Sequence, residues 1–510
     1  MRALVSVWDK TGLEPFARGL VELGFEIVSS GGTASFLAEH GLPVTKVEDV
    51  TQAPEMLGGR VKTLHPRIHA GILGRPTLPD DQAALTEHGI EPFQVVCVNL
   101  YPFSSVSGKQ DTTDAQAIEL IDVGGPSMLR GAAKNFAHVA AVCDPSQYDG
   151  VLAELREHGA VSLDTRRALA TEAFATTAAY DATIANWFGG AERFPEQLNL
   201  SFHKVADLSY GENPHQDAAY YRELGARRHL LSRVEQLGGK ELSYNNLADL
   251  EGARRVAREF TEPAAVIVKH ANPCGVAVGA TIEEAYERAL AGDPVSAFGC
   301  VMILNRPITG AFGARLAEHF IEVLLAPAYD DESLAALQTK AALRILRDDE
   351  RRSDTPGELD FKRVLGGILV QDRDAATEER DAMELATGAI DEKAWADLLF
   401  AWRVCKHVSS NAIVLVKNLQ TIGIGAGQMS RVDAVRIAIE KAREHGHDVA
   451  GSVLASDAFF PFADGPQLAL DAGVTAVIQP GGSKRDDEVT AAIQAAGAAM
   501  VLTGRRHFRH

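Results

Sequence analysis

The chain is predicted to be an α/β protein in two parts, the first built on a doubly wound, mostly parallel sheet. Three observations carry that expectation. Short apolar runs alternate with helical patterns from the first residues onward. The 510 residues are several times the roughly 100–150 of one domain, so more than one core is required. The helical pattern then breaks near residues 189–195, where a polar, turn-rich passage leads to Tyr210-Gly211-Glu212-Asn213-Pro214.

Residues 3–7 form a short β-type run. After Asp9-Lys10-Thr11-Gly12, the residues Leu13, Phe16, Ala17, Leu20 and Leu23 recur at helical spacing, so strand gives way to helix. Residues 25–29 make a second strand, Ser30-Gly31-Gly32-Thr33 leads into a helical stretch ending at Gly41, and residues 44–47 begin a third strand. Residues 95–98 and 138–143 add two more, and the Ala/Leu-rich segment 147–188 reads as helices. Such an alternation places helices on both faces of a parallel sheet. The first domain is therefore set at 1–190, with a sheet core of about 1–145, and the second at 196–510. In the second, strand-like runs at 264–268, 301–304, 413–416, 452–455, 475–478 and 499–502 alternate with helices, in a length that admits two subdomains. Thr281-x-x-Glu284 and Ser430-x-x-Asp433 read as helix-starting capping boxes. Segments 347–360 and 372–381 are charge-dense and read as surface loops or solvated helix faces, and no internal repeat is evident.

Apolar residues at 46% and charged residues at 23% exclude global disorder. Fifty Lys+Arg against 69 Asp+Glu leave a charge of −19, which disfavours nucleic acid or an anionic membrane as partner. Five cysteines (Cys97, Cys143, Cys274, Cys300, Cys405), never spaced C-x-x-C, indicate neither a disulfide framework nor a cysteine zinc site and fit a reducing, cytoplasmic setting. No segment approaches the roughly 20 apolar residues of a membrane span, and no export signal is read at the N-terminus.

Four N-terminal segments suit phosphate chemistry. Ser30-Gly31-Gly32-Thr33 lies between strand and helix, where backbone N–H groups close on an anion, although ordinary turn chemistry explains two glycines as well. Gly58-Gly59-Arg60-Val61-Lys62-Thr63-Leu64-His65-Pro66 gathers cations and a hydroxyl into one loop. In an acidic protein that loop either holds a small anion or is simply solvated. His65 and His69 are four apart, but Pro66 intervenes and the Glu of H-E-x-x-H is missing, so zinc is disfavoured. Asn99-Leu100-Tyr101-Pro102-Phe103 follows a strand at the ligand-binding end of the sheet, or is a buried aromatic turn. Ile121-Asp122-Val123-Gly124-Gly125-Pro126 joins two helical stretches and introduces the region of Lys134 and Asn135.

Further on, Lys269-His270-Ala271-Asn272-Pro273-Cys274-Gly275 follows the apolar run 264–268. This puts a Lys-His pair at a strand tip beside a turn fixed by Pro and Gly, a place suited to proton transfer and charge stabilisation. Pro273-Cys274 lacks both the second cysteine and the H-x-E of zinc deaminases. Gly423-Ile424-Gly425-Ala426-Gly427-Gln428 is a glycine cluster before a helix, without dinucleotide or P-loop spacing. With 417–420 reading as a hairpin, the glycines suggest close backbone approach to a ligand rather than an NAD site. Ser456-Asp457-Ala458-Phe459-Phe460-Pro461-Phe462 is core filler or the wall of a flat heterocycle's pocket.

The strings SVWDKTGL, SSGGTA, EMLGGRVKTLHP, NLYPF, IDVGGPSMLR, AAKN, YGENPHQ, VKHANPCG, SAFG, GIGAGQMSR and SDAFFPF, in order over essentially the whole chain, resemble the family of bifunctional purine biosynthesis proteins. The resemblance implies a methylglyoxal-synthase-like first domain that acts as IMP cyclohydrolase. It also implies a pair of cytidine-deaminase-like α/β subdomains, without zinc, that act as phosphoribosylaminoimidazolecarboxamide (AICAR) formyltransferase. Formyl would pass from the cosubstrate 10-formyltetrahydrofolate to the 5-amino group of AICAR, and formyl-AICAR would close to IMP with loss of water. By the same resemblance, His270 takes the amine proton, Lys269 stabilises the carbonyl oxygen or protonates the leaving folate nitrogen, and Asn411 orients. Tyr210, Gly299, Glu322, Gln428, Arg431, Phe459, Asp464 and Arg506 match pocket positions, and a monovalent cation, potassium, is expected near Asp457. For ring closure Lys62 falls on the oxyanion side, and Asp122 with Lys134 and Tyr101 moves protons. Ser6, Lys10, Ser30, Gly31, Gly32, Thr33, Arg60, Thr63, Asn99 and Gly124 match nucleotide and phosphate contacts. A homodimer with transferase sites across its interface is also implied.

The chain departs from that pattern at Ser209, where Arg is expected before Tyr210, at Trp8, and in the basic end 505–510, where Arg505 or Arg509 is a candidate replacement for the lost cation. Two rival readings are a folate-dependent transferase with a non-catalytic, phosphate-sensing N-terminal domain, and a nucleotide-dependent oxidoreductase using the GIGAG segment.

Overall fold

The computed structural model describes residues 1–54, 56–103, 112–190, 192–224, 226, 229–350, 358–377 and 379–510; parts of the two charge-dense segments (351–357 and 378) and Glu55 of the EMLGGRVKTLHP string lie outside the described residues. The chain divides into two compact units, Met1–His203 with Tyr221–Arg227, and Lys204–Tyr220 with Arg228–His510.

The first unit runs β1 (Arg2–Ser6), α1 (Leu13–Glu22), β2 (Glu26–Ser29), α2 (Gly31–Glu39), β3 (Thr45–Lys46), α3 (Val47–Thr51), α4 (Pro66–Leu73), α5 (Pro79–Glu87), β4 (Val95–Val98), α6 (Asp114–Glu119), α7 (Gly124–Lys134), β5 (Ala140–Val142), α8 (Tyr148–His158) and α9 (Leu163–Gly189). Its strands are all parallel in the order β3-β2-β1-β4-β5. Both faces are covered. Ala3, Val5, Ile27 and Val95 join one apolar cluster, while their neighbours Leu4, Val28 and Val96 join the other, the period-two signature of a sheet between helix layers. The strand expected at 44–47 shortens to two residues because Val47 turns inward, 1% exposed, to start α3. The strand order reverses between β1 and β4, which opens a crevice beyond their carboxyl ends.

β6 (Phe202–Leu208) and β7 (Ala218–Glu223) form a two-stranded ribbon of their own. The second unit then runs β8 (Glu235–Gly238), α10 (Tyr244–Ala257), β9 (Ala264–Lys269), β10 (Asn272–Val278), α11 (Ile282–Gly292), β11 (Cys300–Leu304), α12 (Ala311–Ala317), β12 (Ile321–Ala326), α13 (Asp331–Gln338), β13 (Arg344–Arg347) and the hairpin β14 (Leu359–Val364)–β15 (Gly367–Asp372). It continues with β16 (Glu384–Thr387), α14 (Glu392–Cys405), β17 (Ile413–Val416), β18 (Thr421–Gly425), α15 (Arg431–Glu444), β19 (Val453–Ser456), α16 (Asp464–Asp471), β20 (Ala476–Gln479), α17 (Asp486–Ala495) and β21 (Ala499–Leu502).

Two sheets result, β10-β9-β11-β12-β13-β8 and β18-β17-β19-β20-β21-β16, with the same order and the same sequence of parallel and antiparallel pairings. One shared core holds α10 against the first sheet and α14 against the second, with Phe260 and Phe400 in ring contact at 4.9 Å. The outer faces have cores of their own. The absence of an internal repeat is thus corrected: a constant, gapless offset lays Asp249 on Asp397, Leu250 on Leu398, Val256 on Val404, Lys269 on Lys417 and Gly275 on Gly423.

Other local expectations change as well. Thr281 caps α11 by accepting from the Glu284 N–H, but the Glu284 carboxylate bonds Ala280; Ser430 makes no side-chain cap, and Asp433 pairs with Arg436 instead. Asp348, in a segment read as solvated, is 5% exposed and pairs with Arg254. Gly423 and Gly425 lie within β18, and their close approach is to a helix rather than to a ligand: a Cβ on Gly425 would stand 2.7 Å from the Ala434 carbonyl carbon of α15.

Candidate functional sites

In the first unit a cavity of about 640 Å³ opens at the β1/β4 switch point. It is bounded by the ends of β1 (Ser6, Trp8, Lys10), the start of α2 (Ser30 to Thr33), the loop of Arg60, Lys62 and Thr63, the end of β4 (Asn99, Tyr101), and Asp122 with Gly124 at the start of α7. Gly31 holds φ 53 at the α2 terminus, and a Cβ there would lie 3.5 Å from Lys62 Nζ, so the lysine stands over exposed helix N–H groups. Thr33 Oγ1 donates to Val7 O at 2.9 Å and accepts from Val7 N, which ties α2 to the end of β1. Asn99 Oδ1 accepts from Trp8 N and Asp9 N, and Lys10 Nζ donates to Val7 O at 2.9 Å. Burial pushes the Lys10 ammonium below its ordinary pKa. Trp8 stands edge-on to Tyr101, ring centres 5.2 Å apart.

Asp122 is held from both sides. Its N–H donates to Tyr180 Oη at 2.8 Å, and its Oδ1 accepts from Gly125 N at 2.8 Å. Burial raises its pKa above the ordinary carboxylate value, against a smaller lowering by the Gly125 N–H, so the group binds a proton more readily than a surface aspartate. Arg60, expected at the nucleotide, is exposed and paired with Glu119. Lys134 is not brought to this cavity. It ends α7, ten residues beyond Gly124 and so about 15 Å along the axis, where with His69, Arg130 and Arg167 it lines a separate groove. The joint role drawn for Lys134 with Asp122 is not reachable within one chain. His65 caps α4 by accepting from Arg67 N at 3.2 Å.

In the second unit Lys269 ends β9, and its Nζ donates to the carbonyls of Phe298 (3.0 Å) and Gly299 (2.6 Å). The turn that follows is His270-Ala271, both left-handed at φ 51 and 58; Pro273 and Gly275, expected to fix it, are inside β10. Residues with a Cβ pay about 1–2 kcal/mol each for that conformation, so neighbours must hold it. From the second repeat come Ser409, whose N–H donates to Asn272 Oδ1 at 2.8 Å, and Asn411, whose Nδ2 donates to Gln428 O at 2.8 Å. Arg431 donates to Asn411 Oδ1 at 2.6 Å and pairs with the fully buried Asp457. Asp457 also accepts from the Ser410 hydroxyl and from Ala412 N, so both of its oxygens already have donors. Oδ1 takes Arg431 and Ala412 N while Oδ2 takes only the Ser410 hydroxyl, so Oδ2 keeps acceptor capacity. Among the described residues no group of three His, Cys, Asp or Glu is arranged to hold a metal.

Glu322 accepts from Asn246 Nδ2 at 3.0 Å, Tyr210 O accepts from Tyr244 N, and Asp464 opens α16. Phe459 is exposed beside the buried Phe460. Arg506 lies over the Phe508 ring at 4.4 Å. Ser209 is exposed. Arg509, one candidate for the missing cation, donates from Nη1 to the carbonyls of Ala271 (2.7 Å) and His407, and Arg505 is exposed at the chain end; Arg509 is thus committed to the main chain. Sequence reading missed Asp249, Asp397 and the repeat itself, which the gapless self-match of 244–280 on 392–428 could have revealed.

Comparison with known proteins adds the following. The family model of the AICARFT/IMPCHase bienzyme matches residues 132–441, and that of the MGS-like domain matches residues 12–127. The bifunctional purine biosynthesis protein PurH of Sorangium cellulosum (strain So ce56) is 52% identical over 524 residues, covering 100% of this chain and 99% of that relative. The crystal structure of ForH is 40% identical over 37% of this chain and 99% of its own, with a TM-score of 0.34.

Proposed function

The chain belongs to the AICARFT/IMPCHase bienzymes and catalyses the last two steps of IMP biosynthesis, and on that premise we propose which residues perform each step. Ring closure belongs to residues 1–190 and formyl transfer to 196–510. The observation that carries this division is that Lys62, Tyr101 and Asp122 share one cavity of the first unit, while the Lys269-His270 turn lies in the second.

In the transferase, the AICAR amine attacks the formyl carbon of 10-formyltetrahydrofolate as His270 takes its proton. The Lys269 ammonium faces the developing oxyanion and supplies a proton as the bond to the folate nitrogen breaks. Asn411, aligned by Arg431, orients the substrate. In the cyclohydrolase, the carboxamide nitrogen attacks the formyl carbon of formyl-AICAR, Lys62 neutralises the oxyanion, and Asp122 with Tyr101 carries the protons that leave as water. The phosphate sits at the α2 N-terminus, with Ser6, Lys10 and Thr63 alongside. Lys134 takes part only from a second copy of the chain.

A homodimer is supported by apolar side chains left exposed around the transfer turn: Phe298 at 70%, Phe320 at 47% and Met429 at 103%. The scattered spacing of the five cysteines, with no C-x-x-C pair, supports a reducing, cytoplasmic setting. No helix among the described residues is long and apolar enough to cross a membrane. The test is separate assay of the two steps: Lys62→Ala should abolish IMP formation from formyl-AICAR and spare formyl transfer, and His270→Ala should do the reverse. Ring closure retained by Lys62→Ala would favour a phosphate-sensing first domain.

A further inference from the structure

The two repeats of the second unit carry the same turn. Lys269-His270-Ala271-Asn272 joins β9 to β10, and Lys417-Asn418-Leu419-Gln420 joins β17 to β18 at the matching place, with both central residues left-handed in each. The lysines are held alike: Lys269 Nζ reaches the carbonyls of Phe298 and Gly299 before β11, and Lys417 Nζ reaches those of Asp448 and Ala450 before β19. Only the first turn has a titratable side chain at its tip. Asn418 stands where His270 stands, and Pro263 where Asn411 stands, so the second turn has neither proposed base nor orienting amide.

What the turns share besides lysine is an aspartate. The sixth residue of α10 is Asp249, and the sixth of α14 is Asp397. Asp249 Oδ1 accepts from Ala271 N at 2.5 Å; Asp397 accepts from Leu419 N at 2.6 Å and from Asn418 N at 3.0 Å. An arginine grips a carbonyl of each turn: Arg509 on Ala271 O, and Arg288 on Asn418 O. Gly252, one turn of helix beyond Asp249, lets α10 seat the loop, since a Cβ there would stand 3.1 Å from Ala271 O.

Resting on the assignment of His270 as base, we propose that Asp249 and Arg509 are positioning residues for formyl transfer, pinning the two sides of Ala271 so that His270 keeps its left-handed backbone and its aim. A hairpin tip of this geometry favours Asn-Gly, and His-Ala left to itself relaxes to right-handed or extended backbone, which swings the imidazole away from the amine. The hold costs the site no motion during reaction.

The test uses the full-length protein and both activities. Asp249→Ala should lower the formyl-transfer kcat on the order of 100-fold, the cost of a misplaced catalytic group, with the AICAR KM within about threefold. Asp249→Asn keeps the oxygen acceptor and should retain at least about a tenth of kcat, which also decides the matter if the alanine variant does not fold. Arg509→Ala should likewise act on kcat. Ring closure by the same preparations reports intact first units, and Asp397→Ala should leave the transfer kcat per folded molecule unchanged. Unchanged kcat in Asp249→Ala, Asp249→Asn no better than Asp249→Ala, or an Arg509→Ala defect confined to AICAR KM would overturn the proposal. A His270→Ala variant with normal transfer would instead refute the base assignment on which it rests.

Discussion

Gly125→Ala tests the cyclohydrolase geometry most directly. A Cβ at this position would meet the Asp122 carboxylate, with the carboxyl carbon only 2.9 Å away, and Leu100 Cδ2 also at 2.9 Å. Both neighbours must give way: Leu100 can turn aside, but the carboxylate must rotate off the Gly125 N–H, now at 2.8 Å, or the start of α7 must back away. Overpacking of this kind costs about 1–3 kcal/mol of stability, which a chain of this size tolerates. The functional cost falls on the rate itself, because a displacement near 1 Å is worth about 100-fold, or about 2.7 kcal/mol of barrier. The assay is conversion of formyl-AICAR to IMP under saturating substrate, with formyl transfer measured on the same preparation as the control. A ring-closure kcat within about threefold of the parent would refute the placement of Asp122 in the proton path.

Other outcomes follow from the same geometry. Because burial raises the Asp122 pKa, the carboxylate needed for ring closure should be lost on acidification at a higher pH than for a surface aspartate, and Asp122→Asn should abolish activity across the whole profile rather than move its acid limb. In the second unit, burial alone would raise the Glu259 pKa, but the hydrogen bond and charge of His407 and the charge of Lys406 hold it down to about 2, whereas burial drives His407 down to about 4. Both groups bind protons more readily when unfolded, so stability should fall as pH drops, first from about 6.5 to 4 through His407 and then below 4.5 through Glu259. Urea titrations at stepped pH read that slope. Glu259→Gln leaves Lys406, 6% exposed, without its carboxylate and should cost about 3–5 kcal/mol at neutral pH. Finally, if Lys134 serves a second copy, mixing inactive Lys62→Ala and Lys134→Ala proteins should restore about a quarter of ring closure, one sound site in each mixed dimer. No recovery after subunit exchange would exclude a part played from the partner.

The sequence alone determined what depends on local pattern. Apolar runs at 264–268 and 413–416 are strands because both faces are buried, and the helix after Gly12 follows from its period of apolar residues. The loop 58–66 and the Lys269-His270 pair were legible as chemistry because the first concentrates cations between glycines and proline in an acidic chain and the second places two cationic side chains after a buried apolar run. Tertiary structure decided matters of distance. It gathered Lys62, Tyr101 and Asp122, far apart in the chain, at one switch point, and it put Lys134 a helix length away although only twelve positions separate it from Asp122. It spent the Arg509 cation on two carbonyls, and it closed Gly423 and Gly425 against α15. The pairing of Asp249 with Ala271 was beyond reach for the same reason, since a hydrogen bond across 22 residues exists only once helix and hairpin are packed.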